Sequence, residues 1–558
     1  MIERPKVPQN INNLSFSKSL IPVLAIHLNK LHGINESNHY WEFLILPHIQ
    51  LMSERIVDRL VRIQDGDLFE YITVKKITTD SEMTHDPLFW FSQKPENELF
   101  ILTKIMKFLE KSSIDFNQTI FKKNETLNDS NKSLSNFYSL LAFKQILRNF
   151  IEKCVKSPLE HIYKEIKIRQ FYRTKNSKVL ILRDFLDGET ERNLKNKMQF
   201  IKSSNLQFYL ERKSSEVLSL EMRKTFTNFR SEHINLSAHL TSVPELNLYT
   251  KFLEKNLLSL LPSFCVEEYN YFRSYLKNIR SDFIISDSIV FWDAVSRHIF
   301  ADQKSKGAQC LVFQHGGGFD IEYYDSFEKM EREFADKFFS WRESNDAPGI
   351  VSRKSLIIAN KQFNQRKMVN PLIDVLILGP MFKDFHIYNN GQHPIENSKV
   401  ANKLKNLINL LEQNGFSPRY RPYGWREDEI SISRGRRLGK VPSIYEEIIN
   451  AKIVICCKPT TTVNDCLALG RHPILFFGDE LVAKDSVKKF FIDLGKEKFY
   501  FKDPQKCIDH VLTLNDGRPE ASDKTKEIFN DCFGGNIASP DQVAKIIEDF
   551  IAANPHQN

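Results

Sequence analysis

A hydrophobic strand that runs directly into a glycine-rich turn constrains the fold of this chain more than any other feature. The strand ends in Leu311-Val312-Phe313 and is followed at once by Gln314-His315-Gly316-Gly317-Gly318. An earlier apolar strand spans 283–288, and residues 289–305 between the two have the apolar spacing of a helix that stops at Gly307. This order predicts parallel strands whose carboxyl ends share the edge of the sheet where ligands bind.

The turn after this strand also carries groups suited to proton transfer. His315, Asp320 and Glu322 place an imidazole and two carboxylates in one short stretch, and we take them as the catalytic candidates. Gln314 and the glycines Gly316, Gly317 and Gly318 are predicted to line a cleft, because glycine permits positive φ and close approach of a ligand. An ordinary flexible turn is the alternative interpretation.

The same alternation recurs nearer the C-terminus. Apolar strands at 374–378, 453–457 and 473–477 alternate with helices, which predicts a second parallel, doubly wound sheet. A chain of 558 residues exceeds what one hydrophobic core usually supports. The predicted fold class is therefore α/β, with two Rossmann-like domains whose parallel sheets face an interdomain cleft.

Helical periodicity dominates residues 1–170, so the first domain is expected to carry large helical additions. A capping box at Ser539-Pro540-Asp541-Gln542 predicts a C-terminal helix that packs back on the body. The predicted division lists a first domain at 1–345, a linker at 346–370, a second domain at 371–535 and the C-terminal helix at 536–558.

A second group of candidate residues lies in the C-terminal α/β pattern. Thr460-Thr461-Thr462 stands where a strand gives way to a helix, and free backbone N–H groups at a helix N-terminus bind phosphate. Plain N-capping by Thr461 is the alternative. Upstream, Arg421 and Arg426 surround Tyr423 and Trp425, which suits anion binding and base stacking, and a solvated basic loop is the alternative.

Asp184 ends another apolar strand, at 178–185, and is a further candidate for the cleft. A surface ion pair with the neighbouring Arg183 is the alternative for this carboxylate. Asp65-Gly66-Asp67 is predicted to lie in a turn before a strand and not at a strand end, so no metal site is expected.

The composition limits the kinds of binding partner and the compartment that can be expected for this chain. A formal net charge of +8 is compatible with an anionic ligand or an anionic membrane surface, but it is too small to argue for nucleic-acid binding. No run of about 20 apolar residues and no apolar leader are found, which predicts a cytoplasmic protein, with peripheral contact to the inner membrane face left open. The eight cysteines lack metal or C-x-x-C spacing and are predicted to be reduced core residues.

The order of four motifs resembles a family of bacterial surface-polysaccharide transferases of the GT-B type, namely sugar transferases from O-antigen gene clusters. The motifs are Tyr40-Trp41, Gln314-His315-Gly316-Gly317, Gly424-Trp425-Arg426 and Thr461-Thr462. The chain is more distantly similar to transferases that use CMP-activated Kdo or sialic acid. In those proteins a His-Pro pair holds the cytidine nucleotide, whereas this chain has Arg421-Pro422-Tyr423 in the corresponding stretch.

The resemblance implies a metal-independent glycosyltransferase that needs no cofactor beyond its nucleotide-sugar substrate. Donor binding would fall to the second domain, and the acceptor, a glycan or a lipid-linked glycan, would lose its proton to His315, Asp320 or Glu322. The implied donor residues are Arg421, Tyr423, Trp425, Arg426, Thr460, Thr461, Thr462 and Asp465, the last standing where the family usually has Glu. An epimerase or hydrolase of nucleotide sugars and a non-catalytic polysaccharide-assembly protein remain the alternatives.

Overall fold

The structure of the protein is a computed structural model. It describes residues 14–65, 104–105, 108, 178–182, 185–195, 198–202, 220–236, 247–276, 279–288, 294–322, 326–343, 349–365, 373–380, 394–422, 443–479, 481, 483–514 and 517–554.

Two five-stranded sheets, both wholly parallel, organise the described residues. The strands of the first sheet are β1 (Lys178–Leu182), β2 (Gln199–Lys202), β3 (Phe283–Ser286), β4 (Gln309–Phe313) and β5 (Lys337–Phe339). Those of the second sheet are β6 (Ile373–Leu378), β7 (Pro418–Arg421), β8 (Ala451–Cys456), β9 (Ile474–Phe476) and β10 (Tyr500–Phe501).

Both sheets have the same topology. The first has the order β2-β1-β3-β4-β5, and the second, counted from its β7 edge, has the order β7-β6-β8-β9-β10. Each is thus a doubly wound sheet in the order 2-1-3-4-5, one of the two common Rossmann-like arrangements. The predicted fold class is confirmed.

Helices surround these sheets. Their bounds are Leu14–His32, Asn38–Asp65, Gly188–Lys195, Leu220–Ser231, Asn247–Asn256, Tyr269–Leu276, Ala294–Ser305, Ser326–Phe334, Lys354–Gln365, Pro394–Gln413, Ile444–Asn450, Thr461–Ala468, Asp485–Lys496, Pro504–Thr513, Asp523–Phe533 and Pro540–Ala553. Short 3₁₀ turns lie at Leu258–Leu260 and Ser263–Cys265.

The two faces of the first sheet bury different partners. One face packs under the N-terminal helices, and Tyr40 and Trp41 are fully buried in that core. The opposite face packs against the C-terminal helix Pro540–Ala553, whose Val543 and Ile547 are buried there. The chain therefore returns to the first sheet after completing the second. The capping box at Ser539 begins this C-terminal helix, as the sequence predicts.

The second sheet is covered in the same way. Helices Pro394–Gln413 and Pro504–Thr513 cover one face, and helices Thr461–Ala468, Asp485–Lys496 and Asp523–Phe533 cover the other. Cys456 and Cys457 belong to opposite faces, as expected for neighbours on a strand. The seven cysteines within the described residues are buried and free of disulfides.

Two elements of the structure were not predicted from the sequence. The edge strand β2 was not predicted from the sequence, and the range 346–370, predicted as a linker, contains the helix Lys354–Gln365, whose Leu356 is fully buried. The strand predicted to follow Asp65-Gly66-Asp67 falls outside the described residues. The domain bounds stay predictions. Within the described residues, no helix has the length and apolar character needed to cross a membrane.

Candidate functional site

The segment Gly316–Gly318, here called the glycine turn, follows β4 and is fixed by Gln314. The buried Gln314 side chain donates from Nε2 to the Gly316 carbonyl oxygen (2.6 Å) and accepts from the Trp341 amide (2.8 Å) and the Ser340 hydroxyl (3.1 Å). The indole N–H of Trp341 in turn donates a hydrogen bond to the Gln314 backbone carbonyl oxygen (2.8 Å). Gln314 therefore ties the end of β4 to the segment after β5.

The glycine turn lies directly against the segment Thr460–Thr462, here called the threonine turn. The Gly317 amide donates to Thr461 Oγ1 at 3.0 Å. A Cβ atom at Gly317 would lie 2.5 Å from the Thr461 nitrogen and 2.6 Å from the Thr460 carbonyl carbon. Only glycine allows two backbones to approach this closely. The carboxyl ends of β4 and β8, one from each sheet, thus meet at this contact.

The backbone conformation of the glycine turn does not itself require glycine. Positive φ occurs at other glycines, such as the helix-ending Gly307 and Gly415, but at none of Gly316, Gly317 and Gly318. The turn therefore does not use the positive φ that these glycines permit. What approaches the Gly317 backbone so closely is another part of the chain.

The threonine turn begins the helix Thr461–Ala468. Its N-cap is Thr460, and the Thr460 side chain makes no capping hydrogen bond to the helix. The hydroxyl of Thr460 lies 3.3 Å from that of Thr462. Plain N-capping by Thr461 is therefore excluded. The helix N-terminus presents its backbone dipole and threonine hydroxyls next to the glycine turn, which suits an anion.

His315 stands at the start of the glycine turn with 19% of its side chain exposed. Its Nδ1 lies 3.5 Å from Oε2 of Glu331, which belongs to the helix Ser326–Phe334. The ring also meets Phe319 edge to face at a centroid distance of 5.1 Å. The imidazole is thus held on two sides.

Asp320 is committed to ionic contacts. Its carboxylate accepts from Arg332 (2.8 Å) and from the Ser340 hydroxyl (2.5 Å), and its backbone amide donates to Glu328 (3.0 Å). Burial alone would raise the pKa of Asp320, but the nearby Arg332 guanidinium and the Ser340 bond lower it below its ordinary value. The residue has φ of 63°, in the left-handed region that few residues other than glycine adopt.

Glu322 reaches across to the second sheet. Its Oε1 lies 3.0 Å from Nζ of Lys458, which follows β8, and both side chains are buried. Backbone contacts reinforce the connection, because Glu322 forms an antiparallel bridge with Ala483 and the Lys484 amide donates to the Ile321 carbonyl (2.8 Å). The ion pair therefore joins the two sheets close to the glycine turn.

Asp465 lies one helical turn beyond Thr461 and is almost fully buried. Burial raises its pKa to about 6, against the opposing effects of Arg353 and of a hydrogen bond from Tyr445. Its carboxylate is 3.8 Å from the Arg353 guanidinium. A buried carboxylate with a raised pKa beside a helix N-terminus is typical of a functional site as well as of an internal ion pair.

The arginine candidates are divided between two situations. Arg421, at the end of β7, pairs with the buried Glu447, and Arg419 pairs with the same carboxylate at 2.5 Å. Tyr423, Trp425, Arg426 and Asp184 lie outside the described residues, so their candidate roles stay predictions.

Sequence reasoning missed three residues of this neighbourhood. Lys458 is the second residue after β8, so the strand-end rule that selected the threonines also applies to it. Ser288 and Glu331 carry no comparable signal. Ser288 donates from its hydroxyl to Glu331 Oε1 at 2.7 Å, a contact that only the packing of the helix Ser326–Phe334 against the end of β3 creates.

Comparisons with known proteins give a family match and a weak structural likeness. The model of a family described as "LIC12162 family transferase" matches residues 7–516. The crystal structure of MurG from Acinetobacter baumannii is similar at 11% sequence identity and a TM-score of 0.29, covering 67% of this chain and 100% of that chain. No curated protein matches the chain.

Proposed function

The chain belongs to the LIC12162 family of transferases, and from this premise we propose that it is a glycosyltransferase. It would move a sugar from a nucleotide-activated donor, with a CMP-linked acidic sugar as the first candidate, to a surface glycan or a lipid-linked acceptor. The observation that carries the proposal is the direct contact of the glycine turn with the threonine turn. This contact brings a candidate base and a candidate phosphate site to one place.

The threonine turn is proposed to bind the phosphate of the donor. Transfer of the sugar leaves negative charge on the departing nucleotide phosphate, and preorganised N–H dipoles stabilise such charge without rearrangement. Thr460, Thr461 and Thr462 add hydroxyl donors at the same helix N-terminus. Arg421 is held by Glu447 and is given no part in this step.

His315 is the proposed base that removes the acceptor proton. Asp320 is engaged by Arg332 and Ser340, and Glu322 is engaged by Lys458. His315 is partly exposed, and the adjacent Gly316 lies beside the threonine turn, where an added Cβ atom would be 4.0 Å from Thr461 Oγ1. We choose His315 as the base because cationic side chains engage both of the other candidates, Asp320 and Glu322.

Family membership favours group transfer over the two alternative functions. A hydrolase or epimerase would act on the nucleotide sugar without any acceptor, and an assembly protein would bind glycan without turnover. The formal net charge of +8 supports work at the inner membrane face, where anionic lipids would attract the protein.

The test has two stages. Calorimetry with CMP, UDP, GDP and TDP is expected to detect binding of one nucleotide, and Thr461→Val is expected to weaken it. Sugar transfer is then measured with the matching donors and a glycan acceptor, with His315→Gln as the inactive control. Failure of every nucleotide to bind would refute the proposal, and release of free sugar without an acceptor would indicate a hydrolase.

A further inference from the structure

We propose that Glu331, backed by Ser288, orients His315 so that Nε2 of the imidazole faces the acceptor as a base. The proposal rests on the proposed function for the proton transfer itself. The contact between the Glu331 and His315 side chains can be tested without any substrate. Glu331 is thus a positioning residue that acts through His315.

Three separate elements build this arrangement. His315 follows β4, Glu331 lies in the helix Ser326–Phe334, and Ser288 follows β3. Oε2 of Glu331 is 3.5 Å from His315 Nδ1, and Oε1 of Glu331 accepts from the Ser288 hydroxyl at 2.7 Å. One oxygen of the carboxylate therefore faces the histidine while the other is fixed from behind.

Burial differs sharply along this series. The Glu331 side chain is 0% exposed, whereas that of His315 is 19% exposed. Ser288 is fully buried, and its position is fixed because its backbone amide donates a hydrogen bond to Ser286 Oγ at 3.2 Å. The series thus runs from a fixed interior to a side chain that reaches the surface, where an acceptor can arrive.

The chemistry follows from the kinds of atoms that face each other. A carboxylate can only accept a hydrogen bond, so a neutral imidazole beside it carries its proton on Nδ1. Nε2 then holds the lone pair. The edge-to-face contact with Phe319, at 5.1 Å, opposes rotation of the ring out of this orientation. When Nε2 takes the acceptor proton, the resulting imidazolium is stabilised by the Glu331 carboxylate.

The competing explanation is that Glu331 serves only packing and internal hydrogen bonding. Replacement of Glu331 would then change stability without changing the tautomer of His315 or kcat. The two explanations differ in the tautomer of His315 and in kcat, and both quantities can be measured.

The experiment compares Glu331→Gln with Glu333→Gln, a matched control. Glu333 lies on the same helix but pairs with Lys18 at the surface. Histidine labelled with ¹³C and ¹⁵N gives the tautomer of His315 by NMR, with His315→Gln used to assign its signals. The same proteins are measured for sugar transfer and for thermal unfolding, and Ser288→Ala provides a milder perturbation of the Glu331 carboxylate.

The expected result is the Nδ1-protonated tautomer in the unmodified protein and in Glu333→Gln, and its loss in Glu331→Gln. The latter variant is expected to lose about 10²-fold or more in kcat with little change in KM, since general-base catalysis contributes about that much. Ser288→Ala is expected to lose less. A folded Glu331→Gln protein with an unchanged tautomer, or with kcat within about twofold of the original, would overturn the inference.

Failure of the proposed function gives a different pattern. If the unmodified protein transfers no sugar from any donor, the glycosyltransferase proposal falls. The tautomer measurement needs no substrate, so it still decides whether Glu331 orients His315.

Discussion

Replacing Gly317 by alanine probes the contact that joins the two sheets. The added Cβ would lie 2.5 Å from the Thr461 nitrogen, whereas an ordinary contact begins at 3.4 Å, so the two turns must separate by about 0.9 Å. The atoms in the way belong to the backbone at the start of a helix and cannot rotate aside. The cost is therefore that of overpacking, about 1–3 kcal/mol.

Separation also lengthens the 3.0 Å hydrogen bond from the Gly317 amide to Thr461 Oγ1. Loss of this bond adds about 1 kcal/mol, which brings the expected destabilisation to about 2–4 kcal/mol. The apparent melting temperature should fall by roughly 2–4 °C for each kcal/mol if the affected domain unfolds as one unit. Because a 1 Å misplacement of catalytic groups costs about 10²-fold in rate, sugar transfer should fall by a similar factor.

Gly316→Ala is the matched control, because the nearest atom to its added Cβ is 4.0 Å away. Gly316 lacks a positive φ, so alanine fits there without backbone strain. Thermal unfolding and initial rates of transfer are measured for both variants beside the original protein. A Gly317→Ala protein that keeps the original melting temperature and rate would refute the reasoning that this close approach builds the site.

Three further perturbations test neighbouring parts of the site. Lys458→Met leaves the buried Glu322 carboxylate without this 3.0 Å partner and should cost about 3–5 kcal/mol in thermal unfolding, most of it regained in the double variant with Glu322→Leu. An unchanged melting temperature for the single variant would count against a structural role for this pair. Asp465 has a folded-state pKa raised to about 6, so between about pH 4 and 6 the folded state binds more protons than the unfolded state, and stability falls as pH rises through this window. Asp465→Asn should remove that part of the pH dependence of unfolding, of the order of 2–3 kcal/mol, and identical profiles for the two proteins would contradict the shift. Thr461→Val removes the acceptor of the Gly317 N–H, so it should cost about 1–3 kcal/mol in stability and weaken nucleotide binding measured by calorimetry. Thr461→Ser keeps the hydroxyl and should keep both the stability and the nucleotide affinity.

Local sequence patterns were sufficient for most of the secondary structure around the site. Apolar runs predict β3, β4, β6, β8 and β9, and Gly307 marks a helix end where the structure has positive φ. These features depend on neighbours a few residues apart, so periodicity and capping reveal them. The short edge strand β2 was missed because its Gln199-Phe200-Ile201-Lys202 run is too brief to give a clear alternation.

The site was predictable in its parts and not in its contacts. The strand-end rule selected His315 and the threonine turn, since parallel strands bring their carboxyl ends to one edge. It could not select Glu331, whose place on an amphipathic helix looks like that of any surface carboxylate, nor show that Arg421 pairs with Glu447.

The sequence by itself therefore determined two doubly wound α/β units and the two turns that carry candidate chemistry. Tertiary structure alone decided that Gly317 touches Thr461, 144 residues away, and that Ser288 and Glu331, 43 residues apart, stand behind His315. The physical reason is that strands and helices follow from short-range periodicity and capping. The partner of a given side chain depends on how distant layers pack, and that packing is set by the whole buried surface.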